Sequence, residues 1–203
     1  MIPLESSVSA AVEGPTDEAI VQRILRECGL QLGAVYGREG KDRLLEKLAG
    51  YNEGARFAPW IVLVDLDDDG PCPGAVRQRW LPEPASWMCL RIAVRAAEAW
   101  LLADRESFSG YFRVRASRLP SDPDSEPDPK RVLLNAIERS TSPSIRNDML
   151  PRAGSGRRVG PAYVGRLIEF VETVWQPKTA QASSSSLSRA IEHVNRLYRL
   201  MRS

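Results

Sequence analysis

Short apolar runs alternate with helical repeats along the first half of the chain. The runs at residues 7–12, 33–36, 60–64 and 88–94 carry β-branched residues, which predicts strands. Between them, apolar residues recur every three or four positions, which predicts helices at 17–28, 41–48, 74–81 and 96–103. The run at 60–64 is apolar throughout, as expected of a strand covered on both faces. The pattern predicts an α/β fold with a parallel sheet and flanking helices.

The second half of the chain has a different pattern. Residues 120–128 are rich in proline, serine and acidic side chains, which predicts a loop. Helices are expected at residues 129–139, 162–175 and 187–201. Residues 183–186 are four serines that we expect to link and cap the last helix. We therefore divide the chain into an α/β domain, residues 1–105, and a basic, mostly helical C-terminal extension packed on it, residues 106–203.

Composition narrows the class of protein. No apolar run in the 203 residues approaches the ~18 needed to span a bilayer, so no membrane association is expected. The N-terminus lacks a basic segment and carries Glu5, unlike a signal peptide. Three widely separated cysteines fit a reducing cytoplasm. His193 is the only histidine, which leaves few ligands for a zinc site.

Charge is divided unevenly along the chain. Residues 1–104 hold 16 acidic and 11 basic side chains, whereas residues 105–203 hold 10 acidic and 17 basic ones. This asymmetry favours a basic surface that faces a polyanion, although chance and a preference for arginine are the alternative. Candidate phosphate contacts are Arg152, Arg157 and Arg158, in a segment that otherwise forms a solvated loop.

Acidic residues follow the predicted strands. Glu13 ends the first strand, Asp65 and Asp67 end the third, and Asp17 lies one helical turn after Glu13. Because ligands bind beyond the carboxyl ends of parallel strands, these four carboxylates meet if the two strands are neighbours. Carboxylates in a small volume raise one another's pKa unless a cation neutralises them. Mg²⁺ or Mn²⁺ suits such an oxygen-rich site.

The same residues carry a resemblance to a known family. The sequences VEGPTD at 12–17 and VLVDLD at 62–67 resemble the TOPRIM domain, and the spacing of Glu13 and Asp17 is most similar to its OLD-type nuclease branch. Residues 93–104, 160–163 and 186–189 resemble a wider bacterial TOPRIM-like family of unknown function that is often encoded beside ATPases. The TOPRIM resemblance spans roughly residues 7–104.

The resemblance implies roles for individual residues. Glu13 would be a metal ligand or general acid/base, and Asp17, Asp65 and Asp67 would be metal ligands. Glu98 would complete a second metal site. OLD-type nucleases also use a C-terminal lysine, for which Lys178 or an arginine of the 152–158 segment is the candidate. The expected activity is Mg²⁺-dependent cleavage of nucleic acid, with DNA favoured over RNA, in partnership with an ATPase in bacterial defence or repair.

Other interpretations of these residues stay open. Glu13 and Asp17 are also suited to capping a helix, Asp65 and Asp67 to a solvated turn, and Glu98 to an ion pair with Arg91 or Arg95. A non-catalytic binding module is the main functional alternative. A phosphatase of the haloacid-dehalogenase type, with Asp65 as nucleophile, fits less well because two strands precede the motif.

Two further motifs are excluded by the residues themselves. The Asp-x-Asp-x-Asp-Gly segment at 65–70 opens like an EF-hand, but Val76 replaces the glutamate that such a loop needs at its twelfth position. The chain contains no GxxxxGK[ST] phosphate-binding loop, so no ATPase activity is expected from it.

Overall fold

A computed structural model describes residues 7–202, and the Glu5 on which the signal-peptide argument partly rests lies outside this range. One sheet contains four strands, all parallel: β1 (Ser7–Val12), β2 (Gln31–Gly37), β3 (Trp60–Asp65) and β4 (Met88–Ala93). The strand order is β2-β1-β3-β4, so β1 and β3 are neighbours. The predicted α/β fold with a parallel sheet is confirmed.

Helices connect successive strands, and a further helix follows the last strand. In chain order they are α1 (Pro15–Glu27), α2 (Lys41–Glu46), α3 (Leu48–Gly54), α4 (Pro73–Trp80) and α5 (Glu98–Ala103). Helix α1 begins two residues before the expected start, because Pro15 suits a first helical position that needs no backbone donor. Its N-cap is Gly14 and not Thr16, and the backbone N–H of Gly14 donates to Asp17 Oδ2 at 2.9 Å.

The extension after α5 is helical, as expected. It contains α6 (Arg105–Phe112), α7 (Pro129–Glu138), α8 (Pro143–Met149), α9 (Tyr163–Thr173), α10 (Pro177–Ala180) and α11 (Ser185–Leu200). The sequence pattern missed α6, α8 and α10, which are too short to show a clear apolar repeat. Ser184 caps α11, since its Oγ accepts from Leu187 N at 3.2 Å. Within residues 7–202, no helix has both the length and the apolar composition to cross a bilayer.

The largest hydrophobic cluster joins residues from both halves of the chain. Two buried tryptophans show the connection: Trp100 Nε1 donates to Ser186 Oγ at 2.7 Å, and Trp175 Nε1 donates to the Trp100 carbonyl at 3.2 Å. The extension therefore packs on the same core as α1 and the sheet. The division into two domains at residue 105 stays a prediction.

Candidate functional site

The neighbouring positions of β1 and β3 bring the first two carboxylates together. Glu13 follows β1 directly, and its Oε1 accepts from the backbone N–H of Asp65 at 2.7 Å. Asp65 is the last residue of β3, and its Oδ1 accepts from Ala97 N at 2.9 Å. This second bond ties the end of β3 to the segment between β4 and α5. Parallel pairing thus places both carboxylates at one edge of the sheet, as the sequence predicts.

Asp17 and Glu98 approach this edge from helices. Asp17 lies in the first turn of α1, and Glu98 is the first residue of α5. The hydroxyl of Tyr163, at the start of α9, donates to Glu98 Oε1 at 3.1 Å. Within residues 7–202, Glu98 forms no ion pair with Arg91 or Arg95, so the structure does not support that interpretation of Glu98.

The four carboxylates interact electrostatically. Burial, followed by the charges of Glu13 and Glu98, raises the pKa of Asp17 to about 7. Burial also raises the pKa of Asp65 well above its usual range, with further contributions from Asp17, Glu98 and Glu13. The pKa of Glu13 is raised mainly by burial, although the Asp65 N–H and Lys41 oppose this. Repulsion by neighbouring carboxylates therefore adds to the effect of burial at Asp17 and Asp65. We call Glu13, Asp17, Asp65 and Glu98 the carboxylate cluster.

No basic side chain in the described part of the chain neutralises the carboxylate cluster by direct contact. Among residues 7–202, none of its four members takes part in an ion pair. In Glu13, Asp65 and Glu98 one carboxylate oxygen accepts a hydrogen bond, and the other makes none within the described range. These second oxygens are open to a ligand.

Asp67 has different surroundings. Its backbone has a φ of +47°, and its Oδ2 lies 2.9 Å from Lys41 Nζ. Lys41 also forms an ion pair with Asp69 and donates to the Leu66 carbonyl at 3.2 Å. Burial alone would lower the pKa of Lys41, but the hydrogen bonds that Lys41 donates to Asp69 and Asp67 raise it. The negative charge of Asp67 is thus balanced by Lys41, which lies beside the carboxylate cluster.

Lys41 is the basic residue at this edge that the sequence interpretation missed. It is the first residue of α2, four positions after β2 ends at Gly37. The rule that brought Glu13 and Asp65 together applies equally to β2, because its carboxyl end lies at the same edge of the parallel sheet. Applied to all four strands, that rule would have found Lys41.

Lys41→Gln should lower the stability of the folded protein. The Lys41 side chain is only 16% exposed and serves both Asp67 and Asp69, which would lose their shared cation. We expect a loss of about 1–2 kcal/mol in the free energy of unfolding, measured with urea. The matched control is Lys47→Gln, whose pair with Glu39 is exposed on both sides and should leave the midpoint unchanged. Equal effects of the two substitutions would contradict the role given to Lys41.

The basic residues predicted to contact nucleic acid lie in an exposed loop or far from the start of α1, near which the carboxylate cluster lies. Arg152, Arg157 and Arg158 are exposed in the segment between α8 and α9. Lys178 lies on α10 and pairs with Glu27 at 3.3 Å. Glu27 is the last residue of the 13-residue helix α1, roughly 20 Å along that helix from its start near the cluster. Their contact with nucleic acid stays a prediction.

The carboxylate cluster is the candidate site for a metal ion. Within residues 7–202, no group of three or more His, Cys, Asp or Glu side chains is already arranged to hold one. The donor chemistry nonetheless fits a hard divalent cation, because the cluster offers open carboxylate oxygens and lacks ion pairs, and the pKa values of Asp17 and Asp65 are raised. Ligation therefore requires side-chain rotation toward a common point.

Comparison with known proteins adds no family assignment. No protein-family model, no curated protein and no solved structure matches this chain.

Proposed function

We propose that this protein is a divalent-metal-dependent enzyme that cleaves phosphodiester bonds in nucleic acid. The observation that supports it is the carboxylate cluster at the ends of β1 and β3, where half-buried acids repel one another without an ion pair among the described residues. A bound Mg²⁺ or Mn²⁺ would relieve this repulsion and would polarise a phosphodiester. The resemblance to the TOPRIM domain, noted on the same residues, agrees with this activity.

The residues of the cluster have distinct parts in this proposal. The open oxygens of Glu13, Asp65 and Glu98 would hold the metal, with Tyr163 orienting Glu98 through its hydroxyl. Asp17, with a pKa of about 7 in the absence of metal, is suited to exchange a proton near neutral pH. Asp67 and Lys41 border the cluster and would shape the local charge that a phosphate group meets.

Partners are proposed from the resemblance. The wider TOPRIM-like family is often encoded beside ATPases, so an ATPase is the proposed protein partner, in bacterial defence or repair. The proposal of DNA over RNA as the substrate also comes from the resemblance.

The activity is tested with the purified protein and labelled single- and double-stranded DNA and RNA. We expect cleavage with Mg²⁺ or Mn²⁺ and none when EDTA removes the metal. Calorimetric titration of the protein with Mn²⁺, in the cleavage buffer without EDTA, should show binding. Cleavage that continues in EDTA, or no binding of either metal, would contradict the proposal.

A non-catalytic binding module is the second candidate. The observation that favours it is that no three acidic, histidine or cysteine side chains within residues 7–202 are already arranged around a common metal position. Such a module would bind nucleic acid or a partner protein without requiring divalent metal. Binding of nucleic acid in EDTA, together with no cleavage in Mg²⁺ or Mn²⁺, would support this candidate over the enzyme.

A further inference from the structure

A groove follows the outer edge of β4, which among residues 7–202 is an edge strand paired only with β3. Three cavities of about 350, 180 and 260 Å³ lie along it, from the carboxyl end of β4 to its amino end. The first and second share Arg91 and Arg189, and the second and third share Arg77 and His193. These shared walls make the three cavities one continuous groove between α4 and α11.

Four arginines line this groove without protein counter-ions. They are Arg77 on α4, Arg91 on β4, and Arg189 and Arg196 on α11. Within residues 7–202, none of their guanidinium groups forms an ion pair or a hydrogen bond, and Nε of Arg91 is buried without a partner. Burial lowers the pKa of Arg91, and repulsion from Arg77 and Arg189 adds to this effect. An anion would supply the missing counter-charge.

The acidic residues beside the groove do not cancel this charge. Glu192 acts on Arg91 at a distance, without an ion pair within the described range. Asp122 and Asp124 line the cavity at the carboxyl end of β4. The oxygens of Asp124 accept hydrogen bonds at the start of α11, including one from Ser186 N at 2.8 Å. This carboxylate therefore stabilises the first turn of the helix. The groove as a whole keeps an excess of positive charge.

Three basic residues follow one another along α11. Arg189, His193 and Arg196 lie on one face of α11 and extend about 10 Å along it. A row of this length matches a chain of phosphates better than a single phosphate group. The groove also leads toward the carboxylate cluster, because Ala93 at the end of β4 is the sheet partner of Asp65.

We propose that this groove binds the sugar-phosphate backbone of a nucleic acid strand and directs it toward the carboxylate cluster. The nature of the ligand follows the proposed function, while the binding itself requires no metal and no cleavage. Arg77, Arg91, Arg189 and Arg196 would contact the phosphates that lie in the groove. They differ from the loop arginines and from Lys178, which the sequence pointed to.

The test measures binding of a fluorescent single-stranded DNA oligonucleotide to the full chain in EDTA, by anisotropy. The double variant Arg189→Gln/Arg196→Gln changes exposed residues of α11, and its thermal midpoint should equal that of the wild type. We expect its Kd to rise about tenfold and its log Kd–log salt slope to fall by about 1.4, the value for two lost phosphate contacts. The control is Arg131→Gln/Arg139→Gln, which removes the same charge from exposed positions on α7 and at its C-cap and should change Kd less than about twofold.

The outcomes separate this proposal from the proposed enzyme activity. A wild type that does not bind, or equal losses in the two double variants, overturns the groove as a binding site. A glutamate-rich peptide that competes as well as an unlabelled oligonucleotide overturns the phosphate assignment in favour of an acidic protein partner. If the groove variant alone loses affinity but the wild type never cleaves in Mg²⁺, the groove stands and the enzyme proposal fails.

Discussion

Asp65→Asn should abolish metal-dependent cleavage of nucleic acid while leaving the protein folded. The asparagine keeps an oxygen that accepts from Ala97 N, but it removes a charge from the centre of the carboxylate cluster. We expect the cleavage rate in Mg²⁺ to fall about 100-fold or more, because losing an outer-shell partner of a metal ligand already costs roughly 10- to 100-fold. The rate is measured under single-turnover conditions with the oligonucleotide that the wild type cleaves.

Stability gives an independent readout of the same substitution. Removing one of several repelling charges should raise the thermal midpoint of the metal-free protein at pH 8. The matched control is Asp68→Asn, which changes a fully exposed neighbour in the same loop and should alter neither rate nor midpoint. Full activity of Asp65→Asn would remove Asp65 from the catalytic site and with it the central part of the proposal.

Without divalent metal, stability should decrease as the pH rises from about 4 to about 7. Below the ordinary value of 3.8, Asp17 is protonated in both the folded and the unfolded state. Between that value and about 7, the folded protein retains a proton that the unfolded chain releases, so rising pH favours unfolding. The largest slope for one such proton is about 1.4 kcal/mol per pH unit. Asp65 acts in the same direction, since its pKa is also raised.

Urea unfolding between pH 4 and pH 8 measures this dependence. Asp17→Asn should flatten the curve and still accept from Gly14 N, whereas Asp122→Asn, at an exposed position, should leave the curve unchanged. Millimolar Mg²⁺ should restore stability at pH 8 more than at pH 5, because it binds the ionised cluster. A stability that rises across this range in EDTA would contradict the raised pKa of Asp17.

Particular elements show which features of the fold can be predicted from local sequence and which cannot. The strand ending at Asp65 was evident because its residues are all apolar and are followed directly by acids. Helices α6, α8 and α10 were missed because four to eight residues carry too little periodicity, even though Asp104 and Ser142 act as caps before α6 and α8. Lys41 was missed because only two of the four strand ends were compared. Tyr163 was noted within a motif but received no role, since its contact with Glu98 spans 65 positions along the chain.

The sequence alone determined that this is an α/β chain in which carboxylates stand at the ends of two strands, because apolar periodicity and the residues that interrupt it are local properties. Tertiary structure decided the strand order β2-β1-β3-β4, and with it which carboxylates became neighbours. It also decided that Lys41 engages Asp67 and that four arginines line one groove along β4. These outcomes depend on pairing and packing between distant segments. The free energies of those contacts cannot be inferred from any one segment of the sequence.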